Sequence, residues 1–389
     1  MIDSRFFDEI HDRRMPGDIK YEPVEGVEDL IPMWIADMDF KCAPAIEEAL
    51  KTGASRGIFG YMEPDSEYDQ AVIDWYGSRF GWKIEAEDII KMPSVMFGVA
   101  CAVRALTEPG DAVLIFQPVY YPFKEVIESN GRRTVVSELK LENGRYEIDY
   151  LDFERKISEN GVKLLVLCSP HNPVGRVWTE RELMKLLDLC LGYGVCVISD
   201  EIHSDFVYPG SKHTPFATLS KDAATHCITC TSPTKTFNIA GLQVSNIIVS
   251  DPIVRRKVFD AMAATGYFEV NNLSIYALKA AYREGGEWLA ELLKYLKGNI
   301  DLIRTIGERT GGKIKLIEPE GTYLLWLDCR EMGLDDEALY DWFIHKTGIR
   351  LHKGSTFGRS GSGFMRMNVA CPRSVIEEVL RRIEAQFKA

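Results

Sequence analysis

Three side chains stand at or just past the ends of apolar, strand-like runs. Lys235 follows one in Cys230-Thr231-Ser232-Pro233-Thr234-Lys235. Asp200 closes another in Ile198-Ser199-Asp200-Glu201-Ile202-His203, and Asn172 follows a third in Cys168-Ser169-Pro170-His171-Asn172-Pro173. A buried, neutral lysine amine can form a Schiff base with an aldehyde and, once released, act as a base. A carboxylate ending an apolar strand is costly to bury unless a cation pairs with it, and a protonated pyridine nitrogen is such a cation. The proline after Asn172 restricts its backbone and holds the amide at a turn, where it can hydrogen-bond a phenolic oxygen. Together the three predict a pyridoxal 5'-phosphate (PLP) site.

Further residues fill in that site. Arg366, among apolar neighbours in Phe364-Met365-Arg366-Met367-Asn368, is expected to clamp a substrate carboxylate, because a guanidinium grips it with two directed bonds. The alternative is an arginine paired with a nearby protein carboxylate. Tyr120 and Tyr121 follow another strand end, one ring placed to stack on the cofactor and the other hydroxyl to reach substrate. Ser232 can give a hydroxyl to the phosphate, and the turn Pro93-Ser94-Val95-Met96 opens a helix whose free N–H groups suit a dianion.

Other chemistries fit less well. The alternative for Asp200, with Glu201 and His203, is a divalent metal site, but strand neighbours face opposite ways, so at most part of that cluster could converge. Cys227 and Cys230, three apart in a strand, also face apart and read as core residues. The glycine-spaced run 358–363 lacks the strand-turn-helix order of a dinucleotide fingerprint and is expected to be a mobile loop.

The elements needed to position these residues are visible as patterns. Helices are expected over 43–52, 66–80 and 94–106. Strands are expected over 112–117, 133–139, 163–168, 195–200, 227–231 and 246–250, with helices between most of them. Thr179 with Glu182 three residues on predicts a capped helix over 179–191. Near-continuous apolar strands separated by helices mean a largely parallel sheet covered on both faces, with ligands at its carboxyl edge. After a long helical stretch over 287–309 the pattern turns to strands over 313–317, 322–329, 349–352 and 364–369, a helix over 335–347 and a last helix from Arg373. The reading is an α/β protein with an arm over 1–45, a large domain over 46–287 and a smaller α+β domain over 288–389. Substrate is expected in the cleft between the two domains.

Composition narrows the function classes. The 389 residues, 46% hydrophobic and 27% charged, are ordinary for a soluble globular protein with room for two cores. A net charge of −12 without a basic block argues against nucleic acid. The longest apolar runs fall far short of the ~20 residues that cross a bilayer, and no apolar signal core opens the sequence. Nine scattered cysteines fit reduced thiols and a cytoplasmic location.

These motifs, with Trp34-Ile35-Ala36-Asp37-Met38-Asp39-Phe40, Phe59-Gly60-Tyr61 and His171-Asn172-Pro173-Val174-Gly175-Arg176, resemble fold-type I PLP enzymes, specifically the MalY/PatB family of cystathionine β-lyases and related C–S lyases. The resemblance runs over nearly the whole chain. It implies Lys235 as the Schiff-base lysine, Asp200 as partner of the ring nitrogen, Asn172 as partner of the phenolic oxygen, Arg366 as the carboxylate arginine, Tyr120 as the stacking ring and Tyr121 as the substrate-facing hydroxyl. Val95, Met96, Ser232 and His203 are also expected to border the cofactor. By the same resemblance Tyr61 reaches the phosphate of a neighbouring subunit, implying a homodimer with shared sites. Two positions depart from the wider aminotransferase pattern: Gln243 where a basic residue commonly follows the lysine by eight, and His203 where tyrosine usually follows the aspartate by three. The implied reaction is β-elimination from L-cystathionine or another cysteine S-conjugate. Transamination of aromatic amino acids, and a lyase with an added transcription-regulatory binding role, are the alternatives.

Overall fold

Near-continuous apolar runs become buried strands of a seven-stranded sheet in the computed structural model, which describes residues 4–388. In chain order these are β1 (Ile89–Met92), β2 (Ala112–Gln117), β3 (Arg133–Glu138), β4 (Val162–Cys168), β5 (Cys196–Asp200), β6 (Cys227–Thr231) and β7 (Ser245–Ile248). Their spatial order is β1-β7-β6-β5-β4-β2-β3, with β7 antiparallel to both neighbours and the other pairs parallel.

Successive side chains of a strand point to opposite faces, so each apolar run feeds two cores. Leu114, Phe116, Leu165, Leu167 and Val197 pack on one face against helices α2 (Tyr150–Asn160) and α3 (Glu180–Tyr193). Val113, Ile115, Leu164, Val166 and Ile198 pack on the other against α1 (Val95–Leu106) and α4 (Pro252–Ala263). Each such side chain contributes about 1.5–3 kcal/mol on full burial. Helix α3 starts with the expected capping box of Thr179 and Glu182 and stops at Gly194, whose φ of 66° suits glycine.

A second sheet holds β8 (Lys315–Ile317), β9 (Leu324–Asp328), β10 (His352–Lys353) and β11 (Phe364–Asn368) in the order β8-β9-β11-β10, all antiparallel. Leu325, Leu327, Met365 and Met367 share a core with α5 (Gly286–Ile303) and α6 (Arg373–Ala385). The helix expected over 335–347 is α-helical only over Asp336–Asp341 and continues as a π-turn over Trp342–Thr347.

Two segments decide the geometry of the site. The arm runs beside the second sheet: Ile31 and Pro32 pair with Ile349 and Arg350, and Asn368 N–H donates to Met33 O at 2.8 Å. Asn238, three residues after Lys235, accepts from Met38 N–H at 2.9 Å and donates to Phe40 O at 2.8 Å, tying the arm to the lysine turn. The run 358–363, expected as a mobile loop, is instead packed. It joins turns Gly354–Phe357 and Arg359–Gly361, and a Cβ on either Gly354 or Gly361 would strike the other's carbonyl. Close backbone approach, rather than freedom, explains these glycines.

Candidate active site

Asp200 is the last residue of β5, Asn172 lies four residues past β4, and Lys235 sits in the turn Pro233–Thr236 after β6. The carboxyl edge of the sheet therefore brings the three together around one cavity of about 500 Å³, the size of a small-molecule site. Tyr120, Tyr121, Val95, Met96, His203 and Arg366 share its wall.

The Lys235 amine donates to Ala36 O at 2.7 Å. Burial pushes it down to about 8, against the pull of Asp37 and Asp200 and with the repulsion of Arg366. Asp200 is buried and pushed up to about 7, chiefly by desolvation, although its Oδ1 accepts from Ile202 N–H at 3.1 Å. It makes no ion pair among the described residues. Glu201 points elsewhere, accepting from Ser199 Oγ and Phe216 N–H at 2.9 Å each, with His213 Nε2 also at 2.9 Å.

Arg366 projects from β11 into the same cavity, only 3% exposed. Its Nη1 donates to Asn172 Oδ1 at 3.0 Å and its Nη2 to Trp34 O at 2.7 Å, while the guanidinium lies 4.7 Å from the Phe357 ring centre. Its Nε has no acceptor, and no carboxylate pairs with it among the described residues. The alternative of a protein counter-ion is therefore not what the fold provides. A buried guanidinium without an anion is strongly unfavourable, and burial pushes it down to about 10. Tyr120 N–H donates to Asn172 O at 3.1 Å, and the Tyr121 ring lies 5.7 Å from both Tyr120 and His352.

At the other end of the cavity Ser94 caps α1, its Oγ accepting from Phe97 N–H at 3.1 Å. The N–H groups of Val95 and Met96, in the first turn, have no intrahelical acceptor and lie at the positive end of the helix dipole. Gln243, at φ 54°, lines the wall nearby and brings no charge. Two expected participants stand elsewhere. Ser232 does not line the cavity: its hydroxyl donates to Val244 O at 2.6 Å and accepts from Thr234 N–H at 3.1 Å, so it caps the lysine turn. Tyr61 is 95% exposed and lies outside the cavity.

Residues 28–383 match the family described as aminotransferase class I and II. The chain belongs to that family. Among its relatives, cystathionine beta-lyase PatB of Bacillus subtilis (strain 168) is 43% identical over 97% of this chain and 99% of its own. Protein MalY of Escherichia coli (strain K12) is 34% identical over 91% and 90%. The crystal structure of cystalysin from Treponema denticola, which contains a pyridoxal 5'-phosphate cofactor, superposes with a TM-score of 0.96 at 37% identity. That match covers 100% of this chain and 99% of that one.

The residues of this aminotransferase-family cavity suit PLP on their own chemistry. A buried carboxyl without a cation, an amine held down by burial, an aromatic ring and a helix start with free N–H groups answer its ring nitrogen, aldehyde, ring face and phosphate in turn. Sequence reasoning missed Trp34 and Ala36 as site residues because each contributes a backbone carbonyl, which no side-chain pattern marks. It also missed His352, whose signal was available: it is the register partner of Arg366 across β10 and β11. His203 does line the cavity. Its ring is edge-on to Tyr323 at 5.7 Å and pushed down to about 3 by burial, so the imidazole is neutral.

Proposed function

We propose that the protein is a PLP-dependent carbon–sulfur β-lyase. It converts L-cystathionine, or a related cysteine S-conjugate, with water into pyruvate, ammonia and a thiol, which for cystathionine is homocysteine. The observation that carries this reading is the buried Arg366, bonded to Asn172 and without a protein carboxylate, opposite Lys235 and Asp200 in one cavity. The likeness to PatB and cystalysin favours elimination over other outcomes of the same site.

When bound, PLP supplies an electron sink for the pair left behind as the substrate Cα proton departs. Arg366 binds the substrate α-carboxylate through two N–H donors, and that contact fixes which substrate bond faces Lys235. Lys235 takes the Cα proton onto Nζ, where the Ala36 carbonyl is placed to receive an N–H. The Cβ–S bonding pair leaves with sulfur as a thiolate, and hydrolysis of the remaining three-carbon unit gives pyruvate and ammonia. Asp200 would balance the positive ring nitrogen, Asn172 would meet the phenolic oxygen and Tyr120 would stack on the ring. Val95 and Met96 N–H groups would receive the phosphate, His203 would border the ring, and Tyr121 would face substrate.

We read residues 1–45 as an arm, 46–287 as a large domain and 288–389 as a small one, in a cytoplasmic homodimer. Tyr61 from one subunit would then reach the phosphate site of the other, and its 95% exposure in the single chain supports this. The test is purified protein with cystathionine and no added keto acid. Pyruvate and homocysteine released in equal amounts, and lost in Lys235→Ala, are expected. Turnover strictly dependent on a keto acid would instead make the protein an aminotransferase.

A further inference from the structure

The carbonyl that receives the Lys235 amine is itself held by charges outside the cavity. Ala36 O accepts from Lys235 Nζ at 2.7 Å and from Tyr323 Oη at 3.1 Å. The next residue, Asp37, is bound at 2.7 Å by Arg13 Nη2 and at 3.3 Å by Lys20 Nζ. Both cations also hold Asp39, at 2.9 Å each, and Arg13 binds Asp18 at 3.0 Å. Lys20 is only 2% exposed, and its own carbonyl accepts from Trp34 Nε1 at 3.1 Å, so the cluster grips the backbone on both sides of Ala36. From the second sheet Asn368 Nδ2 donates to Ile35 O at 2.6 Å and to Asp37 O at 2.5 Å. The two cations face three carboxylates, leaving one negative charge over in the cluster that includes Asp37, the residue after the lysine's seat.

We propose that Arg13, Lys20, Asp37 and Asp39 form a positioning cluster for Lys235. The cluster fixes the Ala36 carbonyl as the seat of the free ε-amino group, and its excess negative charge sets how readily that group keeps its proton there. This rests on the lyase reading for its purpose, since the base must return to one place in each turnover, but not for its geometry. The groups facing the Lys235 amine are Asp37 from the arm, Asp200 from β5, Arg366 from β11, and the rings of His203 and Tyr323. Burial pushes the Asp37 carboxyl up, but Arg13 and Lys20 more than offset this and hold it below its ordinary range, so it is charged.

A merely structural cluster and a charge-setting one differ in sign. Asp37→Asn keeps shape and an acceptor for Arg13 but removes a negative charge, whereas Arg13→Gln removes a positive one. The experiment is competitive acetylation of Lys235 across pH in the full-length chain stripped of cofactor, read by mass spectrometry, with circular dichroism confirming the fold. The Lys235 midpoint should move down by about one pH unit in Asp37→Asn and up by a smaller amount in Arg13→Gln, which acts from behind Asp37. A midpoint unchanged in either folded variant, or moved the same way in both, overturns the proposal. Should Asp37→Asn fail to fold, Arg13→Gln decides alone, since its side chain lies partly at the surface. Because labelling is read without cofactor or substrate, it stands or falls separately from the lyase assay.

Discussion

Arg366 and Asp200 place opposite charges in one cavity, and the fold gives neither an ionic partner among the described residues. On the proposed reading both answer groups brought from outside, and each makes a distinct prediction. Arg366→Lys keeps the charge but loses the two-pronged grip, so KM for cystathionine should rise about 10–100-fold with a smaller change in kcat. Steady-state kinetics check this, and a fall in kcat alone would remove Arg366 from carboxylate binding. For Asp200, the folded value of about 7 lies above the ordinary 3.8, so the cofactor-free fold binds that proton more tightly than the unfolded chain. The resulting penalty is absent below about pH 4, grows from pH 4 to 7 and is complete above pH 7. Asp200→Asn should therefore stabilise the cofactor-free protein at pH 8 by roughly 2–4 kcal/mol, and by little near pH 4. Denaturant titrations at the two pH values test it, and an equal effect at both would show that burial of the charge is not the cause.

At the scale of elements, side chains that decide their own burial were legible and backbone groups were not. The strands leading to Asn172 and ending at Asp200 announced themselves as apolar runs, and Thr179 with Glu182 marked the start of α3. β1 was not foreseen: at four residues it is too short to show a period. The arm's part in the site was hidden because its contributions are the carbonyls of Trp34 and Ala36. Ser232 was ambiguous because a serine before a short helical turn serves equally as cap or ligand, and its cap role is the one the fold displays. The run 358–363 misled, since glycine for freedom and glycine for close approach look the same in sequence. The distinction is testable. Gly361→Ala forces a methyl group against the Gly354 carbonyl and must shift the turn carrying Phe357, whose ring lies against Arg366. A loss of about 1–3 kcal/mol in thermal stability is expected, accompanied by a raised KM. A mobile loop would tolerate the change on both measures.

At the scale of the whole molecule, the proposed phosphate end of the cavity has no side-chain charge from Gln243, and Tyr61 lies outside the cavity and is exposed. Around Tyr61 the surface is unusually apolar: Ile58 is 80% exposed, Phe59 60% and Phe268 64%. Side chains of this size left in water on adjoining segments mark an interaction face. A second copy of the chain is the occupant that would bring Tyr61 to a phosphate site while covering them. If each site is built from two chains, defects on different chains are complementary. Tyr61→Ala spoils the phosphate end of the opposite site and Lys235→Ala abolishes its own, so either variant alone should be nearly inactive. Unfolding and refolding the two together should produce hybrids in half of the dimers, each with one intact site. Pyruvate release should then recover to about a quarter of wild type. Separate chains carrying complete sites would give no recovery, because every chain in the mixture would remain defective.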